Sequence, residues 1–264
     1  MRIVSLACSN TEIVHALGCG HLLVGVDDHS DWPPEVVEPL PKVGPDLEID
    51  VEKVASLEPD LVLATLTVPG HENVVAGLEE AGLPFIAPEP VSIDDVYRDI
   101  RQIAQLLGVP ERGEAVVREM AAELGTGDPP TPDPHAPSVL IQWWPKPVIA
   151  PGRLSWAHQV LLRAGGRNPL GDEEVKSRPL TNREVVELAP DAIVLSWCGV
   201  HPDKYRPDVV LENPDFSGIP AIRCGQVHSV GEPFLGRPGP RLVEGIRALR
   251  EVVREAARAG AGRR

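Results

Sequence analysis

The sequence predicts an α/β protein built as two similar lobes. Short apolar runs recur along the chain without strict two-residue alternation, the pattern of parallel strands covered on both faces. Segments with apolar residues at three- and four-residue steps separate them, the order expected of a parallel sheet with crossover helices. Third, Glu52–Ala64 (EKVASLEPDLVLA) returns half a chain later as Arg183–Leu195 (REVVELAPDAIVL). The two share Val54/Val185, Leu57/Leu188, Pro59/Pro190 and Asp60/Asp191, so one helix–turn–strand unit is used twice.

The expected strands, in order, are Ile3–Leu6, Leu22–Val26, Leu61–Ala64, Pro84–Ala87, Val139–Gln142, Ala192–Ser196 and Ala221–Arg223. Between them, Asn10-Thr11-Glu12 opens a helix through Ile13, Val14, Ala16 and Leu17 that Gly18 closes. Asp50 is placed to cap the helix carrying Val51, Val54, Ala55 and Leu57. His71–Glu80 is helical through Val74, Val75 and Leu78. The longest helical pattern starts after Ser92, runs through Ile93, Val96, Ile100, Ile103, Ala104 and Leu107, is interrupted at Gly108-Val109-Pro110 and resumes to Leu124. As one element it would span roughly 45 Å at about 1.5 Å per residue, a strut between lobes. The organisation read from this is an N-terminal lobe at 1–91, a connecting helix at 92–125 and a C-terminal lobe at 126–264. Gly125–Pro137, rich in proline, is a stiff loop.

Among 264 residues, 39 acidic side chains against 25 basic ones leave a formal charge of −14, which argues against nucleic acid and anionic membranes as partners. No stretch approaches the ~20 apolar residues of a spanning helix. The four cysteines, Cys8, Cys19, Cys198 and Cys224, form no CxxC pair and read as reduced thiols. Phosphate-binding GxxxxGK[ST] and GxGxxG loops, the GxSxG elbow and HExxH are all missing, so no catalytic constellation is visible and the chain reads as a non-enzyme.

Open α/β sheets bind ligands beyond the carboxyl ends of their strands. That rule collects Ser9 and Asn10 after the first strand, Trp32 after the second and Leu66 after the third. In the second half it collects Gln142, Trp143 and Trp144, then Ser196 and Trp197, then Phe234 and Arg237. Four of the five tryptophans fall on these loops, in a chain with only ten aromatic residues. They are expected to form the walls of a large apolar pocket between the lobes, outside the lobe cores. A competing reading groups His29, His71 and Glu232, with Asp31, His158 and His201 nearby, as a mixed nitrogen–oxygen metal site.

At LACSNTEIVHALGCGHLLVGVDDHSDWPPEV, PKVGP, LEPDLVLA and LAPDAIVLS, the chain resembles the class III substrate-binding proteins of ABC importers for cobalamin and siderophores. The resemblance runs nearly the whole length. The SNTE opening, the SDWPP turn and EPFLGRPGPR look most like the vitamin B12-binding members. It implies two Rossmann-like lobes with parallel sheets joined by one long helix, and no chemistry on the ligand. It also implies a corrinoid held in the cleft against Trp32, Leu66, Trp144, Trp197, Phe234 and Arg237, without a resident cofactor. Partners would be an ABC permease and its ATPase, met through Glu72 on one lobe and Asp203 on the other, with the protein working as a monomer. Alternatives on the same scaffold are a siderophore or heme binder and a zinc or manganese binder. A cytoplasmic corrinoid-handling protein is a further one. The resemblance implies an extracytoplasmic location; the chain opens without a leader segment, which keeps the cytoplasmic reading open. Pro233 stands where the B12-binding pattern offers an acidic side chain, with Glu232 adjacent, and the Trp143-Trp144 pair also departs from it.

Overall fold

The structure is a computed structural model that describes residues 1–261. The chain divides into two compact units, Met1–Pro90 with Asp95–Glu119, and Val91–Asp94 with Met120 onwards.

The first unit contains β1 (Ile3–Ser5), α1 (Cys8–Ala16), β2 (Leu23–Val26), α2 (Pro34–Val37), α3 (Val51–Ser56), β3 (Leu61–Leu63), α4 (His71–Glu80) and β4 (Phe85–Ile86). Its four strands are all parallel, in the order β2-β1-β3-β4. Val4, Leu6, Val43, Val54, Val62, Ala64, Val74 and Leu78 form the apolar core that the helices and strands share. Asp50 caps α3 as its position predicts, accepting from Lys53 N at 2.9 Å.

The 92–125 stretch is two helices, α5 (Ile93–Leu106) and α6 (Pro110–Leu124), and not a single rod. Gly108 takes φ +71°, which ends α5, and Pro110 starts α6 where a helix tolerates proline. The two then pack side by side. A Cβ on Gly113 would lie 2.5 Å from that of Ala104, and Arg101 Nε reaches Glu114 Oε1 at 2.9 Å. Only glycine allows that approach.

The second unit holds β5 (Val139–Gln142), β6 (Trp144–Pro145), β7 (Val148–Pro151), α7 (Trp156–Arg163), β8 (Ser177–Leu180), α8 (Asn182–Leu188), β9 (Ala192–Leu195), α9 (Asp208–Leu211), α10 (Pro220–Arg223), β10 (Val227–Ser229), α11 (Glu232–Leu235) and α12 (Leu242–Ala261). A parallel sheet runs β10-β9-β5, and a separate antiparallel sheet runs β6-β7-β8. Three features depart from expectation. Ala221–Arg223 is helical, with the edge strand following at Val227. The antiparallel sheet has no counterpart among the expected strands. The longest helix is α12, of 20 residues, not an element of the 92–125 stretch. Gly245 in α12 sits so close to α11 that a Cβ would lie 2.0 Å from Phe234 O.

The sequence repeat is a structural repeat in detail. Glu58 and Ala189, each just before the shared proline, both adopt left-handed backbone (φ 48° and 43°), which turns the helix end into the strand. Asp60 Oδ2 then accepts from Arg2 N at 2.6 Å, and Asp191 Oδ2 from Ser138 N at 2.9 Å. Each aspartate therefore satisfies the first amide of the neighbouring parallel strand and sets its register. Asp60 N and Asp191 N complete the match by donating to the carbonyls of Arg2 and Ser138, both at 2.8 Å.

Candidate functional site

Because the strands of the first unit are parallel, the segments after β1, β2 and β3 leave from one edge of the sheet. After β1 the chain enters α1 directly, so Ser9 and Asn10 lie in its first turn and are buried. Asn10 Nδ2 donates to Ala64 O at 2.8 Å and Leu63 O at 3.3 Å, so its amide ties α1 to the end of β3. After β2, Asp27 organises the next loop. Its carboxylate accepts from Ser30 Oγ at 2.5 Å and from His29 N at 3.0 Å, and Thr11 Oγ1 lies 2.8 Å from Ser30 Oγ. Burial pushes the Asp27 carboxyl above the usual carboxylate pKa, against the lowering effect of the Ser30 and His29 hydrogen bonds. This anchored turn carries Trp32, which is 44% exposed. After β3, Leu66 is half-buried, and His71 holds the following segment. Its Nδ1 accepts from Val68 N at 3.1 Å while Nε2 meets Asp46 Oδ1 at 2.8 Å. Glu72 is exposed in the first turn of α4, and its Oε2 accepts from Gly70 N at 2.7 Å.

In the second unit, the ends of β5, β9 and β10 share the corresponding edge of the parallel sheet. Gln142 and Trp197 meet there: Trp197 Nε1 donates to Gln142 Oε1 at 3.0 Å. Trp197 is only 5% exposed, belongs to the core with Leu140, Leu195 and Phe216, and packs against Tyr205 with ring centroids 5.4 Å apart. It is therefore a core residue, contrary to its expected place outside the cores; the loop it begins folds back under the sheet edge. Tyr205 locks that fold, donating to Trp197 O at 3.2 Å and accepting from Glu232 N at 2.9 Å. Trp143 stacks on Trp156 of α7 at 6.1 Å, with its Nε1 buried and unpartnered among the described residues. Trp144, the next residue and the first of β6, is 41% exposed. The stack on Trp156 accounts for the burial of Trp143. Ser196 Oγ is also buried and unpartnered among the described residues. Phe234 is half-buried in α11 under the Arg241 guanidinium, 4.8 Å from the ring centre. Arg237 is 7% exposed, and its Nε donates to Glu232 Oε2 at 2.9 Å.

Asp203 is exposed in a helical turn beside His201, 3.5 Å away. A cavity of about 610 Å³ in the second unit lies between the Pro145–Val148 turn, the start of α8 and the 208–216 segment, with Gln142 in its wall. Among the described residues no group of three His, Cys, Asp or Glu side chains is placed to hold a metal ion, and both His71 nitrogens are engaged, by Val68 N and Asp46 Oδ1. Asp27, Tyr205 and Trp156 were missed as supports of these loops. Asp27 opened the DDHSDW run that marks the loop; nothing in the sequence singled out Tyr205.

Comparison with known proteins decides the family. A family model described as periplasmic binding protein matches residues 3–233. The chain belongs to the periplasmic binding protein family. It is 31% identical over 258 residues to the uncharacterized ABC transporter substrate-binding lipoprotein YvrC of Bacillus subtilis, covering 96% of this chain and 79% of that one. It is 28% identical over 244 residues to a vitamin B12-binding protein of Pectobacterium carotovorum, covering 92% and 84%. In structure it is similar to the periplasmic heme-binding protein RhuT of Roseiflexus sp. RS-1 in its apo form, with TM-score 0.79, 29% identity and coverage of 97% and 98%. This periplasmic binding protein is thus of the ABC-transporter substrate-binding type, a class of small-molecule binders that is generally non-catalytic and works with a permease and ATPase. Among its described residues no helix is long and apolar enough to cross a membrane.

Proposed function

We propose that the protein binds a corrinoid outside the cytoplasm and delivers it to an ABC permease, with the carboxyl-edge loops of both parallel sheets taking part. The observation that carries this reading is the pair of exposed indoles, Trp32 and Trp144, one on each of those loop sets. A flat apolar macrocycle gives such rings area to bury, at about 25 cal/mol per Å² before ordering costs. The state of the arginines supports a ligand of low charge. Arg237 is paired with Glu232, Arg178 with Glu173 and Glu184, and Arg153 with Glu174. An anionic ferric catecholate would have to compete with each of those carboxylates. Vitamin B12-binding relatives at 26–28% identity over more than nine-tenths of the chain support the same ligand.

A heme is the second reading. It is favoured by the likeness to a heme-binding protein and by His29, an exposed imidazole three residues before Trp32 that could serve as an axial ligand. Parallel titrations with cyanocobalamin and hemin, followed by tryptophan quenching and calorimetry, separate the two. Saturable quenching with cyanocobalamin alone supports the corrinoid. A Soret shift with hemin, lost in His29→Ala, supports heme. Neither response would overturn both.

A further inference from the structure

A second cavity, of about 300 Å³, lies wholly within the second unit, lined by Arg153, His158, Arg167, Asn168 and Asp172 together with Pro132 and Leu162. Its hydrogen bonds fix the protonation of the histidine. Asn168 Oδ1 accepts from Leu170 N at 3.0 Å, and Asn168 Nδ2 donates to Pro151 O at 3.0 Å. Both backbone partners orient the amide one way only, so the group facing His158 Nδ1 at 3.2 Å is the second N–H of Nδ2. Nδ1 must then be the acceptor, and the ring proton sits on Nε2. His158 is 7% exposed, and no described residue accepts from Nε2. Arg167 Nε is held by Ala136 O at 3.3 Å, which leaves both of its terminal nitrogens without a partner among the described residues. Arg153 stands on the other side, paired with Glu174. Burial and the Arg153 charge lower the His158 pKa, which keeps the imidazole neutral and its Nε2–H a donor at neutral pH.

We infer that this cavity is a binding site for a small oxyanion, a phosphate or a carboxylate, which accepts from His158 Nε2 and from the Arg167 guanidinium. The chemistry follows from the donors. His158 Nε2–H is a donor with no described acceptor, the Arg167 guanidinium favours negative charge, and its fork matches paired oxygens. Asp172, exposed at the rim, opposes the anion and limits it to one group of modest charge. The site is independent of the corrinoid reading and uses none of its residues.

The test uses the full chain with inorganic phosphate, and citrate as a second arm, read by calorimetry and by long-range proton–nitrogen NMR of the histidines. The expected result is an Nε2-protonated His158 whose Nε2 resonance moves on saturation with one of the anions. Response to phosphate alone assigns a phosphate site, and response to citrate alone a carboxylate site. Arg167→Gln should weaken binding roughly tenfold or more, with unchanged cyanocobalamin or hemin response as the control for folding. Asp172→Asn should tighten it. An Nδ1-protonated ring, the absence of any response to both anions, or binding unaffected by Arg167→Gln would each overturn the assignment.

Discussion

Trp197 Nε1 donates to Gln142 Oε1 across the ends of two adjacent parallel strands, β9 and β5, 55 residues apart in the chain. The bond joins two loops to the sheet on which they stand. It also makes Trp197 a structural residue first.

Trp197→Phe keeps most of the ring but leaves Gln142 Oε1 buried without its donor, which should cost about 1–3 kcal/mol. Trp197→Ala removes a core side chain as well and should cost about 3–5 kcal/mol. Urea unfolding of both variants checks this; an alanine variant as stable as wild type would contradict the placement of the ring in the core.

Trp144→Ala and Trp32→Ala should behave in the opposite way. Both residues are far more exposed than Trp197, at 41% and 44%, so stability should change less than in the Trp197 variants, by about 1 kcal/mol or less. Ligand affinity should fall by roughly 1–3 kcal/mol each if they bury a face of the macrocycle. Calorimetry against cyanocobalamin, with thermal unfolding as control, measures both.

The Arg237–Glu232 pair is nearly dry, so removing one member takes a charge-assisted bond from the other in a poorly solvated place. Arg237→Met alone should destabilise by about 3–5 kcal/mol, and adding Glu232→Gln should restore part of that. A double-mutant cycle by chemical denaturation gives the coupling; additive losses would mean the two side chains do not act as a pair.

Asp27 predicts a pH dependence of definite sign. Its folded-state pKa lies above the ordinary value of 3.8, so the native chain holds this proton more tightly than the unfolded one. That contribution is neutral below the ordinary value and becomes increasingly unfavourable as pH rises through the folded value. Asp27→Asn removes it. The stability of wild type relative to the variant should therefore decline between pH ~4 and neutrality, as measured by urea midpoints across that range.

Glu72→Gln keeps an oxygen to accept from Gly70 N while removing the charge. Ligand affinity should stay at the wild-type level while uptake through the partner importer falls, and Asp203→Asn should act likewise. Loss of ligand binding in either variant would remove these residues from the docking role.

β1, β3, β5 and β9 have no exposed position, so unbroken apolar runs announced them, and β2 and β4, partly buried, were also legible in Leu22–Val26 and Pro84–Ala87. β10 is half-exposed at a sheet edge, and the three-residue run Ala221–Arg223 outweighed it although it is a helical turn. Runs that short do not separate strand from helix. β6, β7 and β8 were hidden by their prolines, Pro145, Pro151 and Pro179, residues that usually mark strand limits. At the candidate site the tryptophan positions were legible as loop positions, but not the direction of each ring. Trp143 and Trp197 turn inward because Trp156 and Tyr205, distant in sequence, offer them partners.

The contact between Gly245 and the Phe234 carbonyl gives the final helix a duty beyond filling space. With no room for even a methyl group there, α12 serves as the template on which the segment from Phe234 to Arg237 is cast. A shortened or loosened tail would reshape that segment without altering any residue in it.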